Sequence, residues 1–288
     1  MIDDRAGGID YDERGEGPTL VLVPGSCSTG AAWRPVIAEW QDRYRCVTTS
    51  LLGYGRTAER RSVSTADMAH EAEMLEAVVR RAGTPVHLVG HSFGGTTALA
   101  VAMRKQVPVL SLTVIEPPVP ELLRHMGEHG YYAAFREMTD AYFGAFQGGN
   151  NSAIGTMIDF YGGAGTFAGW PQKVRDYAIA TTTVNLLDWV CAYSFHLTRA
   201  CLAKVDVPTL VIRGGASHPA MQRATELLSQ CLANGSLAMI EGAAHFMIST
   251  HAEAVATEIA GHIAVNDAMT LENPAYSRRH SGVSAKRM

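Results

Sequence analysis

With 288 residues, 47% of them hydrophobic, the chain has ample material for a sizeable core, yet no apolar run approaches the length of a membrane span. The formal net charge is −4 and the 24 lysines and arginines are spread along the chain, which leaves no basic face for nucleic acid and points to a small-molecule partner. The five cysteines are odd in number and spaced like neither a zinc knuckle nor a redox pair, and Met1-Ile2-Asp3-Asp4-Arg5 lacks the basic and apolar segments of a secretory signal. Reduced thiols, a cytoplasmic setting and no membrane association are therefore expected.

Residues 8–13 alternate weakly, like an edge strand, and Gly15-Glu16-Gly17-Pro18 turns into the apolar strand Leu20 to Val23. That strand ends in Pro24-Gly25-Ser26-Cys27-Ser28. Gly25 frees the following backbone N–H groups to point into a cleft, as an oxyanion site requires. Gly25 and Gly30 flank four residues in the manner of a phosphate loop, but no lysine follows the second glycine, which argues against a nucleotide. Cys27 and Trp33 are candidates to line a pocket; for Trp33, covering the core is an equal alternative.

Cys46 to Thr49 reads as the next short strand, followed by the glycine-containing loop Leu52-Gly53-Tyr54-Gly55-Arg56. Met68, Ala72, Leu75, Val78, Val79 and Ala82 recur at helical spacing, with Thr65 placed to cap the start and Gly83 the end. The strand Val86 to Val89 then runs into Gly90-His91-Ser92-Phe93-Gly94-Gly95, and an apolar helix follows over Thr96 to Met103. Gly90 and Gly94 flank Ser92 two residues away on either side, so the backbone can turn sharply while neighbouring segments approach closely. A serine at such a strand-turn-helix bend is exposed as a nucleophile, and the same G-x-S-x-G pattern without that context would be a mere turn. Val109 to Ile115 is the following strand, stopped by Glu116-Pro117-Pro118.

Helices between apolar strands on both sides of Ser92 predict crossovers, hence an α/β fold with a mostly parallel sheet and helices on both faces. From about Pro117 to Arg199 this alternation disappears. Helical stretches with aromatic faces, Tyr131 to Phe146 and Val174 to Phe195, surround glycine-rich breaks at 148–151 and 161–165, which predicts a helical insertion over the carboxyl edge of the sheet. Phe160, Tyr161, Phe167 and Trp170 either pack that insertion or face a substrate. His125-Met126-Gly127-Glu128-His129 matches an H-x-x-E-H zinc pattern, but Gly127 weakens the helix that would hold both imidazoles, and no third ligand is evident, so no metal is expected.

The sheet resumes with Pro208 to Ile212, a helix around Ala224 to Leu232 and the strand Leu237 to Ile240. The small residues of Glu241-Gly242-Ala243-Ala244 let His245 swing over the sheet edge before a closing helix, His251 to Val265, and the polar tail 266–288 reads as loosely ordered. The core is thus assigned to 1–116 and 200–265, and the inserted helical cap to 117–199.

A serine hydroxyl needs a base to take its proton, and His245 is the candidate. The imidazole in turn needs a carboxylate. The usual place, the loop after the strand ending at Ile212, reads Arg213-Gly214-Gly215-Ala216-Ser217-His218-Pro219 and holds no acid. Glu116, at the carboxyl end of the strand after the nucleophile helix, is the alternative, and the other is a dyad working with water or a distant acid.

These segments, Pro24-Gly25-Ser26, Leu52-Gly53-Tyr54-Gly55-Arg56, Gly90-His91-Ser92-Phe93-Gly94 and Gly242-Ala243-Ala244-His245 in this order, resemble the α/β-hydrolase superfamily over roughly residues 9 to 265. The resemblance implies Ser92 as nucleophile, His245 as base and the Ser26 and Phe93 backbone N–H groups as the oxyanion hole. Members usually carry His-Gly where this chain has Pro24-Gly25, a change of side chain and not of the donating amide. A minority, haloalkane dehalogenases among them, place the acid where Glu116 stands, though those enzymes use an aspartate nucleophile. The implied activity is hydrolysis of a carboxylic ester or related acyl compound through an acyl-serine intermediate, with no cofactor. A thioesterase, lactonase, carbon–carbon bond hydrolase or cofactor-free perhydrolase would use the same triad, and some members are small-molecule receptors instead. Cys27, Trp33, His91, Phe160, Tyr161 and Trp170 are the candidate substrate contacts.

Overall fold

A computed structural model describes residues 1–4, 7–83 and 85–272. Strands β1 (Ile2–Asp4) and β2 (Gly7–Ile9) form a small antiparallel ribbon ahead of β3 (Asp12–Arg14), β4 (Thr19–Val23), helix α1 (Arg34–Glu39) and β5 (Arg45–Thr48). Then come α2 (Met68–Ala82), β6 (Val86–His91), α3 (Phe93–Arg104) and β7 (Val109–Ile115). Seven helices follow without a strand: α4 (Pro120–His125), α5 (His129–Gln147), α6 (Ile154–Gly162), α7 (Thr166–Gly169), α8 (Gln172–Ala180), α9 (Thr182–Ser194) and α10 (Arg199–Leu202). The chain returns through β8 (Thr209–Gly214), α11 (Pro219–Cys231), β9 (Gly235–Ile240), α12 (Met247–Thr250) and α13 (Ala252–Glu272).

The main sheet has the order β3-β5-β4-β6-β7-β8-β9, parallel throughout except for β3, which pairs antiparallel with β5 at one edge. Its inner strands β4, β6, β7 and β8 are largely apolar and buried because both faces are covered there, whereas the edge strands β3 and β9 are mostly exposed. In β4 the side chains divide with period two: Val21 and Val23 join the core under α2, α3 and α11, and Leu20 and Leu22 join the one under α1, α12 and α13.

Several boundaries differ from the sequence expectation, each for a local reason. The edge strand expected over residues 8–13 is interrupted because the Asp10 N–H is taken by Thr57 Oγ1 and its carboxylate by Ser50 Oγ and the Arg56 N–H groups. Helix α2 is capped by Asp67, which accepts from the Ala69 N–H, and not by Thr65, whose hydroxyl oxygen accepts from Ser62 N–H. Tyr161 and Gly162, expected in a break, close helix α6, and the stretch Val174 to Phe195 is two helices meeting at Thr181. The closing helix continues past Val265 to Glu272, so the expected polar tail starts inside α13; 273–288, with its Arg278, Arg279, Lys286 and Arg287, lies outside the described residues.

The turn at Ser92 is held by backbone-to-backbone contact. A Cβ on Gly90 would run into the Gly94 carbonyl, and one on Gly94 into the carbonyls of Pro24 and Val23. Gly90→Ala and Gly94→Ala are each expected to cost about 3 kcal/mol or more, since the obstacles are main-chain atoms that cannot yield. Gly144→Ala, in the last turn of α5 with nothing near the added methyl, should instead stabilise by about 0.5–1 kcal/mol. Urea unfolding of the three variants checks both signs.

Candidate active site

Sheet register brings the chemistry to one edge. His91 pairs with Ile115 and Ile115 with Ile212, so Ser92 and Glu116 each stand one residue beyond the paired ends of adjacent strands. The Ser92 N–H donates to Ile115 O at 2.8 Å and the Glu116 N–H to Ile212 O at 3.0 Å, which fixes both residues to their neighbouring strands. Both adopt left-handed backbone, φ 53° and 44°, and so does Cys27 at 57°. For non-glycine residues this costs roughly 1–3 kcal/mol each, and the three surround a single cavity mouth or its supporting turn.

His245 reaches the same edge from the loop after β9. That loop is laid against the loop after β8 by Gly215 N–H to Ile240 O and Ala216 N–H to Ala243 O, both 2.9 Å. His245 Nδ1 lies 2.8 Å from Glu116 Oε2 and Nε2 lies 2.9 Å from Ser92 Oγ. A carboxylate only accepts, so Nδ1 carries the proton, Nε2 is the free acceptor, and the serine hydroxyl donates to it. The other Glu116 oxygen accepts from the Gly214 N–H at 2.7 Å, and the carboxylate is fully buried. Glu116 therefore reaches across from β7 to the end of β8, whose last residue, Gly214, supplies a donor to it.

His91 is buried behind this chain, its Nε2–H donating to the His245 carbonyl at 2.8 Å. Burial, reinforced by the nearby His245, pushes its pKa down to about 3. Tyr161 stacks on the other side of the His245 ring, with centroids 4.1 Å apart and planes at 23°.

Above the serine is a cavity of about 940 Å³ between the sheet edge and the inserted helices. Ser26, Cys27, His91, Phe93, Tyr161 and Trp170 all line it. Two candidates do not. Trp33 is fully buried in the core under α1 and α13, because the turn ahead of α1 carries it to the opposite face of the sheet. Phe160, one residue before Tyr161 on α6, is turned away by the helical geometry and stacks on His218 at 4.0 Å. The Cys27 thiol is pushed up to about 12 by burial and by the Asp188 charge, so it is a poor nucleophile beside the serine.

The sequence reading missed the residues that helix α9 brings to the cavity. Asn185, Asp188, Trp189 and Ala192 all line the cavity. Their spacing of three, four and seven residues places them on one helical face, and a polar pair on an otherwise apolar face was the available signal. Among the described residues Asn185 Oδ1 and Tyr161 Oη are buried without a hydrogen-bond partner, so polar groups of a bound molecule would find partners there. Gly127 ends the zinc-like segment's helix, leaving His125 on α4 and His129 on α5, and among the described residues no three metal-ligating side chains cluster. Among those residues no helix is long and apolar enough to cross a membrane.

The depressed His91 pKa carries a linkage. The unfolded chain takes up this proton below about pH 6.5 and the folded chain only near pH 3, so the unfolded state binds more protons between them and stability falls as pH drops. The limiting slope for one such group is about 1.4 kcal/mol per pH unit. His91→Gln, which keeps a donor for the His245 carbonyl, should lower the slope of unfolding free energy between about pH 6 and 4 by up to that amount, as read from urea midpoints.

Comparison with known proteins agrees with this architecture. The chain is 27% identical over 258 residues to polyketide synthase ThaQ of Burkholderia thailandensis, covering 83% of this chain and 11% of that protein. It is 34% identical over 93 residues to a pimeloyl-[acyl-carrier protein] methyl ester esterase of Aliivibrio salmonicida, covering 32% of this chain and 33% of that one. The chain thus spans a third or less of the length of these curated relatives. A thermophilic esterase from Thermogutta terrifontis superposes with a TM-score of 0.72 at 19% identity, over 91% of this chain and 96% of the esterase. Residues 20–258 match the family described as the alpha/beta hydrolase family, and the chain belongs to it.

Proposed function

We propose that the protein hydrolyses a carboxylic ester or related acyl compound through an acyl-serine intermediate. The observation that carries this reading is the unbroken hydrogen-bonded chain Ser92 Oγ to His245 Nε2, His245 Nδ1 to Glu116 Oε2. Ser92 Oγ attacks the substrate carbonyl carbon while His245 Nε2 takes its proton. The carbonyl π pair moves onto the oxygen, which the Ser26 and Phe93 N–H groups receive. Phe93 is the first residue of α3, where backbone N–H groups have no intrahelical partner and the helix dipole favours negative charge. Collapse of this intermediate expels the alcohol, protonated by His245. Water, deprotonated by the same imidazole, then attacks the acyl-serine and releases the acid. Glu116 stabilises the imidazolium in both halves, and its burial makes that charge interaction strong.

The apolar side chains over the serine, Met157, Ile158, Trp170 and Trp189 among them, suit an apolar acyl or alcohol group, and the volume admits a substrate of ordinary small-molecule size. We place the inserted helices as a cap that sets specificity. A thioester is the second reading, favoured by the long match to part of a polyketide synthase. The ratio of kcat/KM for an oxygen ester and its thioester counterpart separates the two.

Ser92→Ala is expected to lower kcat by about 10³ to 10⁶ with the fold retained, and a fluorophosphonate should label the wild-type serine and not the variant. More than about a tenth of wild-type turnover in the variant would refute the assignment. Glu116→Gln keeps the shape but removes the charge facing the imidazolium, with an expected loss of about 10² to 10⁴ in kcat. His218→Ala, where the acid ordinarily stands, should cost less than about tenfold in the same assay. A near-normal Glu116→Gln enzyme would remove Glu116 from the triad.

A further inference from the structure

The loop that carries Ser26 is tied to the inserted helices by one buried cluster. Ser26 Oγ–H donates to Asp188 Oδ2 of helix α9 at 2.6 Å, and the same oxygen accepts from Tyr54 Oη at 2.7 Å. Asp188 Oδ1 accepts from Arg61 Nη1 at 2.9 Å. That guanidinium also lies 2.9 Å from Glu71 Oε1, donates to Glu59 Oε2 at 2.9 Å and to the Leu52 carbonyl at 3.3 Å. The Arg61 and Glu71 side chains have no exposed surface, and Asp188 has 3%.

Three carboxylates against one guanidinium is a costly way to fill an interior. Burial pushes Asp188 up, and pushes Glu71 up to about 8, against the pull of Arg61. Buried ion clusters are weak sources of stability compared with apolar packing of the same volume. What the cluster does provide is a fixed acceptor at its outer end, where Asp188 meets Ser26 at the cavity wall. The next residue, Cys27, is in left-handed backbone, so this turn relies on its surroundings to keep its shape. The Tyr54 and Arg61 donors occupy both Asp188 oxygens, so the carboxylate cannot rotate away from Ser26 without losing them.

We infer that Asp188 is a positioning residue for acyl transfer: it grips the Ser26 hydroxyl from helix α9 and thereby fixes the Ser26 backbone N–H where the substrate carbonyl oxygen gains charge. The inference rests on the preceding assignment of Ser92 as nucleophile and the Ser26 N–H as oxyanion donor. It also gives the inserted helices a part in the chemical step, since the acceptor belongs to them and the donor to the loop after β4.

The test uses a short-chain nitrophenyl ester and a trifluoromethyl ketone, whose adduct with the serine mimics the oxyanion. Deleting an oxyanion donor outright costs about 10² to 10³ in kcat, so loosening one that is still present should cost about tenfold to a hundredfold. Ser26→Ala, which keeps the amide and leaves the ion cluster whole, and Asp188→Ala should each show that loss in kcat with KM changed less than about threefold. Because Asp188 acts through Ser26, the double variant should be no worse than the poorer single one. The trifluoromethyl ketone should weaken by the same factor as kcat/KM. Ser26→Ala within twofold of wild type, losses that multiply in the double variant, or a loss confined to KM would overturn the inference, and if Asp188→Ala does not fold, Ser26→Ala decides alone. Retained turnover in Ser92→Ala would instead refute the underlying assignment; activity and labelling that depend on Ser92 but ignore Ser26→Ala refute only this inference.

Discussion

The Glu116 carboxylate is the point at which three separate chain segments become one site. It emerges from the end of β7, accepts from the Gly214 N–H at the end of β8, and accepts from His245 on the loop after β9. A buried carboxylate with both oxygens engaged is costly to move, since either partner left unsatisfied forfeits more than a hydrogen bond is worth in solution. The position of the imidazole, and with it the line from Nε2 to Ser92, follows from this anchoring. The glycine that ends β8 is required for a separate reason: the Gly214 Cα is packed against the Ala243 carbonyl and has no room for a side chain.

Around this anchor the fold stores strain in a few places. Ser92 and Glu116 hold left-handed conformations at the ends of neighbouring strands, and each is pinned by a backbone hydrogen bond to the strand beside it. The cost is carried by the two-sided core, where Val21 and Val23 pack one face and Leu20 and Leu22 the other. A parallel sheet buried on both faces gives its carboxyl edge a rigid frame. Chain-reversal loops at that edge can then carry polar groups at fixed separation.

The helical insertion contributes side chains to the site itself. Helix α9 presents Asn185, Asp188 and Trp189 to the cavity on one face, and Asp188 links that face to the loop after β4. Tyr161 on α6 backs the His245 ring. The lining of the cavity and the surroundings of His245 and Ser26 are therefore set partly by the same helices.

Much of this was legible from local chemistry. The G-x-S-x-G turn between an apolar strand and an apolar helix marks Ser92 because only glycine permits the backbone contacts at positions 90 and 94. The lack of any acid between Arg213 and Pro219 pointed to Glu116, since it stands at a strand end on the same edge as Ser92 and His245. Other features depended on rotation about an element, which local sequence does not specify. Trp33 and Phe160 carry the composition of pocket residues, yet the turn before α1 sends one to the opposite core and helical phase turns the other onto His218. Asp188 lies 162 residues from Ser26 and 127 from Arg61, and nothing near it in the chain marks it as a partner of either. The sequence by itself determined the succession of strands and helices along the chain, the tight turn at Ser92 and the presence of groups able to move a proton, because these rest on backbone sterics and side-chain chemistry. The tertiary structure alone decided which side chains face the cavity and which buried charges meet there, because those contacts arise only when distant helices pack over the sheet edge.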